Sequence, residues 1–370
     1  MRIIADLHIH SKYSRACSPE LDVPHLSESA KIKGIGLLGT GDFTHPEYFA
    51  ELKKYLKESD GSPGLYEHKG QKFLLQTEIS SIYGHHKVHT VIFAPSLEVV
   101  AQINDALGKR GNLKADGRPI LGISALELAE IVLGISNECM VIPAHAWTPW
   151  FSVFGANSGF DSLKECFGEL TSKIYAIETG LSSDPPMNWR ISALDKVALI
   201  SNSDAHSPAK LGREANVFEL DEKEFNYRGI CEAIRKKDKK RFLCTYEFFP
   251  EEGKYHVDGH RNCGVRLSPE EAIKLNNVCP KCGKKVTMGV LHRVNALADR
   301  PDGFVPGDSI PFKHLVPLRE IVAKSLDKGE FTKGVVEEYG KLVRAFGNEF
   351  AALNASFEEV RKVSGDRIAD

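Results

Sequence analysis

The sequence predicts an α/β fold whose parallel strands deliver side chains to one rim, followed by a small metal-stabilised unit and a helical segment. Three observations carry this expectation. Short β-branched runs alternate with helical stretches over residues 1–205. His, Asp and Glu recur directly after those runs. Far downstream, His260-x-x-Cys263 and Cys279-Pro-Lys-Cys282 repeat one two-residue spacing.

Seven strands are expected: Ile3–Ala5, Gly36–Gly39, Phe73–Thr77, Val88–Phe93, Val141–Pro143, Tyr175–Ile177 and Ala198–Ile200. Helices are expected between them at Pro46–Lys57, Leu97–Leu107 and Ala125–Ile135, the last started by a capping box of Ser124 and Glu127. Gly61–Gly64 and Lys109–Arg118 read as loops.

The first strand ends in Asp6-Leu-His-Ile-His10. In extended chain, residues i and i+2 point the same way, so His8 and His10 can reach one cation. The later strands bring Asp42, Glu78, His89, His145, Glu178, Asp204 and His206. One such residue is more often a structural group. Seven strands agreeing point to a multinuclear metal site on the rim where parallel barrels build their active sites.

Past Asn216 the alternation stops. Tyr227–Lys237 reads as a helix, followed by a basic run from Lys236 to Arg241, and Glu247–Tyr255 reads as a linker. The His260, Cys263, Cys279 and Cys282 set fits one tetrahedral structural zinc, with His256 as the rival for His260. Gly283 suits the turn that closes the knuckle. A unit this small has little core, so the metal would supply much of its folding free energy. After a Pro-rich stretch, helices are expected at Arg319–Lys328, Thr332–Phe346 and Phe350–Val363. These shifts divide the chain into 1–245, 246–295 and 296–370.

Composition bounds the partners. The chain has 370 residues, 42% of them hydrophobic and 26% charged, which is ordinary for a soluble protein. No apolar run reaches the roughly 18 to 20 residues of a membrane span. The N-terminus lacks the basic-then-apolar order of a signal peptide, so a cytoplasmic location is expected. A formal net charge of −2 means that any nucleic acid must be met by local basic patches. The five isolated cysteines, Cys17, Cys139, Cys166, Cys231 and Cys244, are expected to be reduced and inert.

The motifs Asp6–His10, Gly39-Thr-Gly-Asp42, Glu78, His89, Ala144-His145 and Asn202-Ser-Asp-Ala-His206 resemble those of the PHP (polymerase and histidinol phosphatase) superfamily. The stretches Pro143–Trp150, Gly180–Asp184, Ser203–Pro208 and Leu211–Glu214, with the zinc knuckle and helical tail, resemble the endonuclease Q family within it. The resemblance implies a distorted seven-stranded β/α barrel that hydrolyses phosphoesters with two or three divalent ions. It also implies cleavage of DNA 5′ to uracil, hypoxanthine, xanthine or abasic sites. One ion would take His8, His10, Glu78 and Asp204, and Glu78 would bridge to a second on His89 and His145. Asp42 and His206 would border any third ion, although Phe43 and Ala16 stand where many relatives have histidines. Glu178 would be a ligand or would orient one. Glu78, Asp204 and His206 are the expected catalytic residues. Imidazole-rich sets favour zinc or manganese over magnesium.

Position suggests further DNA contacts. Trp147, Trp150 and Phe151 follow His145 and could stack on bases. Lys12, Arg15 and Arg213 lie near the expected ions, and Lys281, Lys284, Lys285 and Arg293 give the zinc unit a basic face. A replication clamp is an open partner, since Gly365–Asp370 shows no clamp-binding motif. The alternative activity is hydrolysis of a small phosphorylated metabolite or nucleotide, which would leave the zinc unit and tail unexplained.

Overall fold

The computed structural model describes residues 1–369, so the last residue of the Gly365–Asp370 stretch lies outside it. The seven expected strands are all present. They are numbered here β1 (Arg2–Asp6), β2 (Leu37–Gly39), β3 (Gln71–Tyr83), β4 (His86–Ala94), β5 (Met140–Pro143), β6 (Ala176–Glu178) and β7 (Ala198–Ile200). β1, β2 and β3 are parallel, with Ala5 opposite Leu37 and Leu38 opposite Phe73. β6 and β7 are also parallel.

β4 departs from the all-parallel expectation. It runs antiparallel to both β3 and β5. Only Gly84 and His85 separate β3 from β4, and a parallel crossover needs about a dozen residues or more, so the chain must turn straight back as a hairpin. His89 therefore enters from the first half of a descending strand.

The ring closes without full ladders at two places. Between β5 and β6 the Ala146 N–H donates to Glu178 O at 3.0 Å. Between β7 and β1 the end of the chain turn bridges Ile9 to Ala205, and the Asp204 N–H donates to His8 O at 2.9 Å. Side chains of successive strand residues fall into two apolar clusters. Ile3, Ala5, Phe93 and Ile142 belong to one, and Leu38, Phe73, Ile92 and Val141 to the other. This two-residue period is what a sheet covered on both faces requires.

Several strands of the barrel sheet have no counterpart in the sequence reading, and two of them extend it beyond β1. Ala215–Glu219 pairs antiparallel with β1, and Phe242–Glu247 pairs with Ala215–Glu219. The start of the expected linker is thus strand. Glu247 is buried, and Thr245 and Thr179 donate to it at 2.5 and 2.8 Å. Burial pushes its carboxyl up to about 8. Glu214, buried nearby with one oxygen unpartnered, is raised for the same reason and by the Glu247 charge. The folded chain keeps a proton that the unfolded chain has lost, so stability falls as pH rises from 4.5 towards 8. Glu247→Gln is expected to flatten that fall and add on the order of 1–3 kcal/mol at pH 8, with little change at pH 5. Urea midpoints at both pH values test this; an unaltered pH dependence would remove Glu247 as its source.

The zinc-type unit pairs Asp258–His260 with Val265–Leu267 and adds helices Pro269–Lys274 and Val290–Leu297. Further on, Phe312–His314 rejoins the barrel sheet beside Phe242–Glu247. Helices Leu318–Leu326 and Lys333–Phe346 follow as expected. The third expected helix, Phe350–Val363, is two, Glu349–Leu353 and Phe357–Ser364. Ser356 and Glu359 form a reciprocal capping box that starts a new helix there. Val322, Val335 and Leu342 give this tail its own core. One anchor to the barrel is the buried pair of Lys33 and Glu349 at 2.7 Å, and Phe350 packs on Tyr246 at 5.3 Å as another. Among the described residues, no helix is long and apolar enough to cross a membrane.

Candidate metal and phosphoester site

Glu78 stands at the centre of the rim and is fully buried. His89 Nδ1 and His145 Nε2 lie 2.9 and 3.2 Å from its Oε1. His10 Nε2, His8 Nε2 and Arg118 Nη1 lie 3.2, 3.5 and 3.0 Å from its Oε2. Burial pushes this carboxyl up, but the surrounding imidazoles and guanidinium outweigh it and hold it well below the usual range. Asp204 Oδ1 is 3.0 Å from His10 Nε2. The ligand atoms of His8, His10, Glu78 and Asp204 lie within 4.8 Å of one another, and so do those of Glu78, His89 and His145.

Outer carboxylates aim the first two imidazoles. His8 Nδ1 meets Glu178 at 2.9 Å, and His10 Nδ1 meets Asp42 at 3.0 Å. Each ring therefore turns Nε2 inward, the arrangement in which a carboxylate fixes the tautomer of a ligating histidine. His145 Nδ1 is held by Thr148 Oγ1 at 3.1 Å. The buried Nε2 of His8 has no hydrogen-bond partner. An orphaned imidazole nitrogen, aimed at two carboxylates, is suited to ligate a cation.

The backbone is strained where the site is built. Asp42, His145 and Asp204 have φ of 34°, 28° and 47°. Side chains are costly in that region, and such positions gather at functional sites. At Gly180, φ is 68° and a Cβ would lie 2.7 Å from His145 Cβ, so glycine is required for the close approach to that ring.

The hydrogen bonds bear on three expected roles. Asp42 is saturated by protein donors: Ser11 N–H, Ser11 Oγ–H and Ser14 Oγ–H reach its Oδ2 at 2.6, 2.6 and 2.8 Å. Its Oδ1 faces His10 Nδ1, which fits it to orienting that ring. Glu178 likewise accepts from His8, from the His145 N–H at 3.1 Å and from Asn202 Nδ2 at 2.8 Å, which fits the orienting one of its two expected roles. His206 packs edge-on against His10 at 4.6 Å and holds Asp204 O at 2.9 Å. It joins neither ligand group among the described residues.

A cavity of about 510 Å³ opens beside the cluster, lined by His89, Arg118, His145, Trp150, Asp204 and Tyr255. A second of about 520 Å³ shares Trp150, Lys254 and Tyr255 and runs along the zinc-type unit to His260. Trp150 is 41% exposed, and Phe151 packs on His89 at 4.8 Å. Trp147 is a correction: it is buried, packed against Phe154 with ring centroids 4.7 Å apart, and its Nε1–H donates to Asn188 at 2.7 Å. No base can reach it. Arg293 is a second correction, since its guanidinium is spent on Phe154 O, Phe160 O and Asp161, tying the zinc-type unit to the barrel. Arg213 donates to Ser203 O at 2.8 Å beside the Asp204 loop and stays partly exposed.

Lys12 pairs with Glu51 at 2.9 Å and Arg15 with Asp116 at 3.2 Å, both at the surface near the rim. Lys284 and Lys285 are exposed on the knuckle, where Lys281 donates to Cys263 O at 3.0 Å. Arg118, Lys254 and Tyr255 were invisible to the sequence reading, because they lie in segments that carry no ligand spacing.

His260, Cys263, Cys279 and Cys282 also converge within 4.8 Å. Gly283 has φ of 72°, and its N–H donates to Cys279 O at 2.9 Å to close the turn. His256 faces away, towards Ser182 O at 3.2 Å, so His260 completes the set. Three thiols and an imidazole with no other common role fit structural zinc.

Comparison with known proteins places this geometry. Residues 193–238 match a family described as PHP-associated, and residues 317–370 match the MJ0043 C-terminal domain. The uncharacterized protein YqxK of Bacillus subtilis is 32% identical over 97% of this chain and 90% of its own length. MJ0043 of Methanocaldococcus jannaschii is 36% identical over 59% of this chain, which spans only 27% of that longer protein. The crystal structure of a lesion-specific endonuclease Q from Pyrococcus furiosus has a TM-score of 0.89 and 35% identity, covering 100% of this chain and 89% of that one. An endonuclease Q bound to a 27-mer duplex with an abasic lesion has a TM-score of 0.90 and 34% identity, covering 100% of this chain and 90% of that one. On likenesses that run the full length of the sequence, the chain belongs to the endonuclease Q family of PHP-type phosphoesterases.

Proposed function

We propose that the protein is a metal-dependent DNA repair endonuclease that hydrolyses the phosphodiester 5′ to a damaged nucleotide. The carrying observation is a pair of ligand groups sharing Glu78 and opening on a cavity of about 510 Å³, in a chain of this family. His8, His10, Glu78 and Asp204 would hold one divalent ion, and Glu78, His89 and His145 a second. Such ions activate water at neutral pH and offset charge on phosphoryl oxygens. Glu178 and Asp42 keep the two imidazoles aimed. Asp204 and the half-exposed His206 sit where a proton can pass between the cluster and solvent. Trp150 and Tyr255 line a cavity of a size and polarity to receive an extruded nucleotide.

Deaminated bases and abasic sites are the substrates we infer, with Lys254, Lys284 and Lys285 meeting phosphates on the zinc side. Manganese or zinc suits the imidazole-rich sets, and one zinc would fold residues 246–295 between a catalytic unit at 1–245 and a tail at 296–370. A reducing cytoplasm would keep the zinc thiols and the isolated cysteines free.

Labelled duplexes holding one uracil, one hypoxanthine or one abasic site should each be nicked immediately 5′ of the lesion with Mg²⁺ or Mn²⁺. The matched undamaged duplex should stay whole. Turnover of nucleotide or sugar phosphates with every duplex intact would overturn the reading in favour of a small-molecule phosphoesterase.

A further inference from the structure

The strand-end residues account for every group around Glu78 except Arg118. Its guanidinium reaches Glu78 Oε2 at 3.0 Å and lines the cavity with His89, His145 and Asp204. The remaining partners of Glu78 are imidazoles, which ligate cations as neutral groups. Divalent ions in the two sets would themselves balance the Glu78 and Asp204 carboxylates. A fixed guanidinium is then surplus to charge balance within the cluster. Its charge is available to an anion in the cavity.

The loop that carries Arg118 is built for placement. The Gly117 N–H donates to Tyr13 O at 2.9 Å, and the Ser80 N–H donates to Pro119 O at 3.0 Å. The Arg118 N–H donates to Asp116 Oδ1 at 3.1 Å. The stem is thus docked to the chain after β1 on one side and to β3 on the other. At Gly117 a Cβ would lie 2.3 Å from Asp42 Oδ2 and 2.4 Å from Ser14 Oγ. The loop passes so close to the cluster that only glycine fits, and this brings the next side chain over Glu78.

Arg118 has five N–H donors, and among the described residues Glu78 is the one side chain that takes a hydrogen bond from it. A planar fork of donors matches two oxygens of a phosphodiester. Lys254, also lining the cavity, comes from the linker to the zinc-type unit and carries a point charge without that fork. Arg118 is the cation that pairs with the ligand cluster itself.

We propose that Arg118 is a catalytic residue that donates to the non-bridging oxygens of the scissile phosphate and stabilises the charge that builds on them during hydrolysis. This rests on the endonuclease reading above. Its contribution falls on the chemical step, because the fork meets the phosphoryl oxygens as their charge rises. Holding Glu78 in place is its secondary role in the resting protein.

The test compares wild-type, Arg118→Ala and Arg118→Lys holoenzymes. Single-turnover nicking of an abasic duplex, duplex affinity and bound metal per chain are measured for each. Arg118→Ala is expected to cut about 10²–10³-fold more slowly, the size of losing one transition-state donor. Its affinity for duplex should stay within a few-fold and its metal content should match wild type. Added guanidinium should restore part of the rate and ammonium should not. Arg118→Lys should remain close to the alanine variant, lacking the fork. An alanine variant as fast as wild type overturns the proposal. So does one that loses metal and is not rescued, which would make Arg118 a positioning residue for Glu78. A wild-type enzyme that leaves every damaged duplex intact fails the endonuclease reading instead, whatever the variants do.

Discussion

Glu78→Gln is expected to abolish cleavage and to lower bound metal in both sets at once. The two groups of ligand atoms have only this residue in common. Its carboxylate also holds His89, His145 and Arg118 at 2.9 to 3.2 Å. An amide keeps the shape, but it removes one negative charge and turns an acceptor into a donor facing imidazoles. Losing charge balance at both sites should cost several kcal/mol of transition-state stabilisation, at least about 10³-fold in rate. Metal analysis of the purified variant and single-turnover nicking decide it together. Near wild-type rate with full metal would show that the two groups do not work through a shared carboxylate. Asp204→Asn should silence cleavage too, but it should empty only the set that includes His8 and His10.

Cys279→Ser is expected to unfold the zinc-type unit while the barrel stays folded. That unit's strands are three residues each and its apolar contribution is small, with Ala272, Val290 and Val294 its main buried side chains. Structural zinc in such small domains supplies about 10–16 kcal/mol of apparent binding free energy, so losing one of four ligands removes most of what folds it. Limited proteolysis should open new cuts between residues 258 and 289, and far-UV circular dichroism should lose little. Cleavage should fall with it, since Lys254 and Tyr255, near the N-terminal end of this unit, line the cavity beside the cluster. A protease-resistant variant with wild-type activity would show that the fold of this unit does not depend on the metal.

The sequence by itself determined the parts of this protein whose information is local. A strand that ends in two histidines one residue apart is legible because extended chain has a period of two. A knuckle of Cys-Pro-Lys-Cys-Gly is legible because its turn and spacing are set within five residues. Helix Ala125–Ile135 was readable to the residue, since Ser124 accepts from the Glu127 N–H and fixes its start. The strand-end residues named the ligand candidates because a barrel forces strand ends onto one rim.

Tertiary structure decided what depends on partners distant in the chain. Asp42 reads as a ligand in sequence and Glu178 as a ligand or an orienting group, and it is their hydrogen bonds with Ser11, Ser14, His145 and Asn202 that fit both to orienting the imidazoles. Trp147 and Trp150 are three residues apart and chemically alike. Asn188 and Phe154 bury one, while the other is left on the cavity wall. Arg118 had no motif to announce it, because its position depends on a loop docked through Gly117 against a segment more than 100 residues earlier. Local preference writes spacing into the sequence, whereas burial, saturation and exposure are properties of neighbours that only the folded chain brings together.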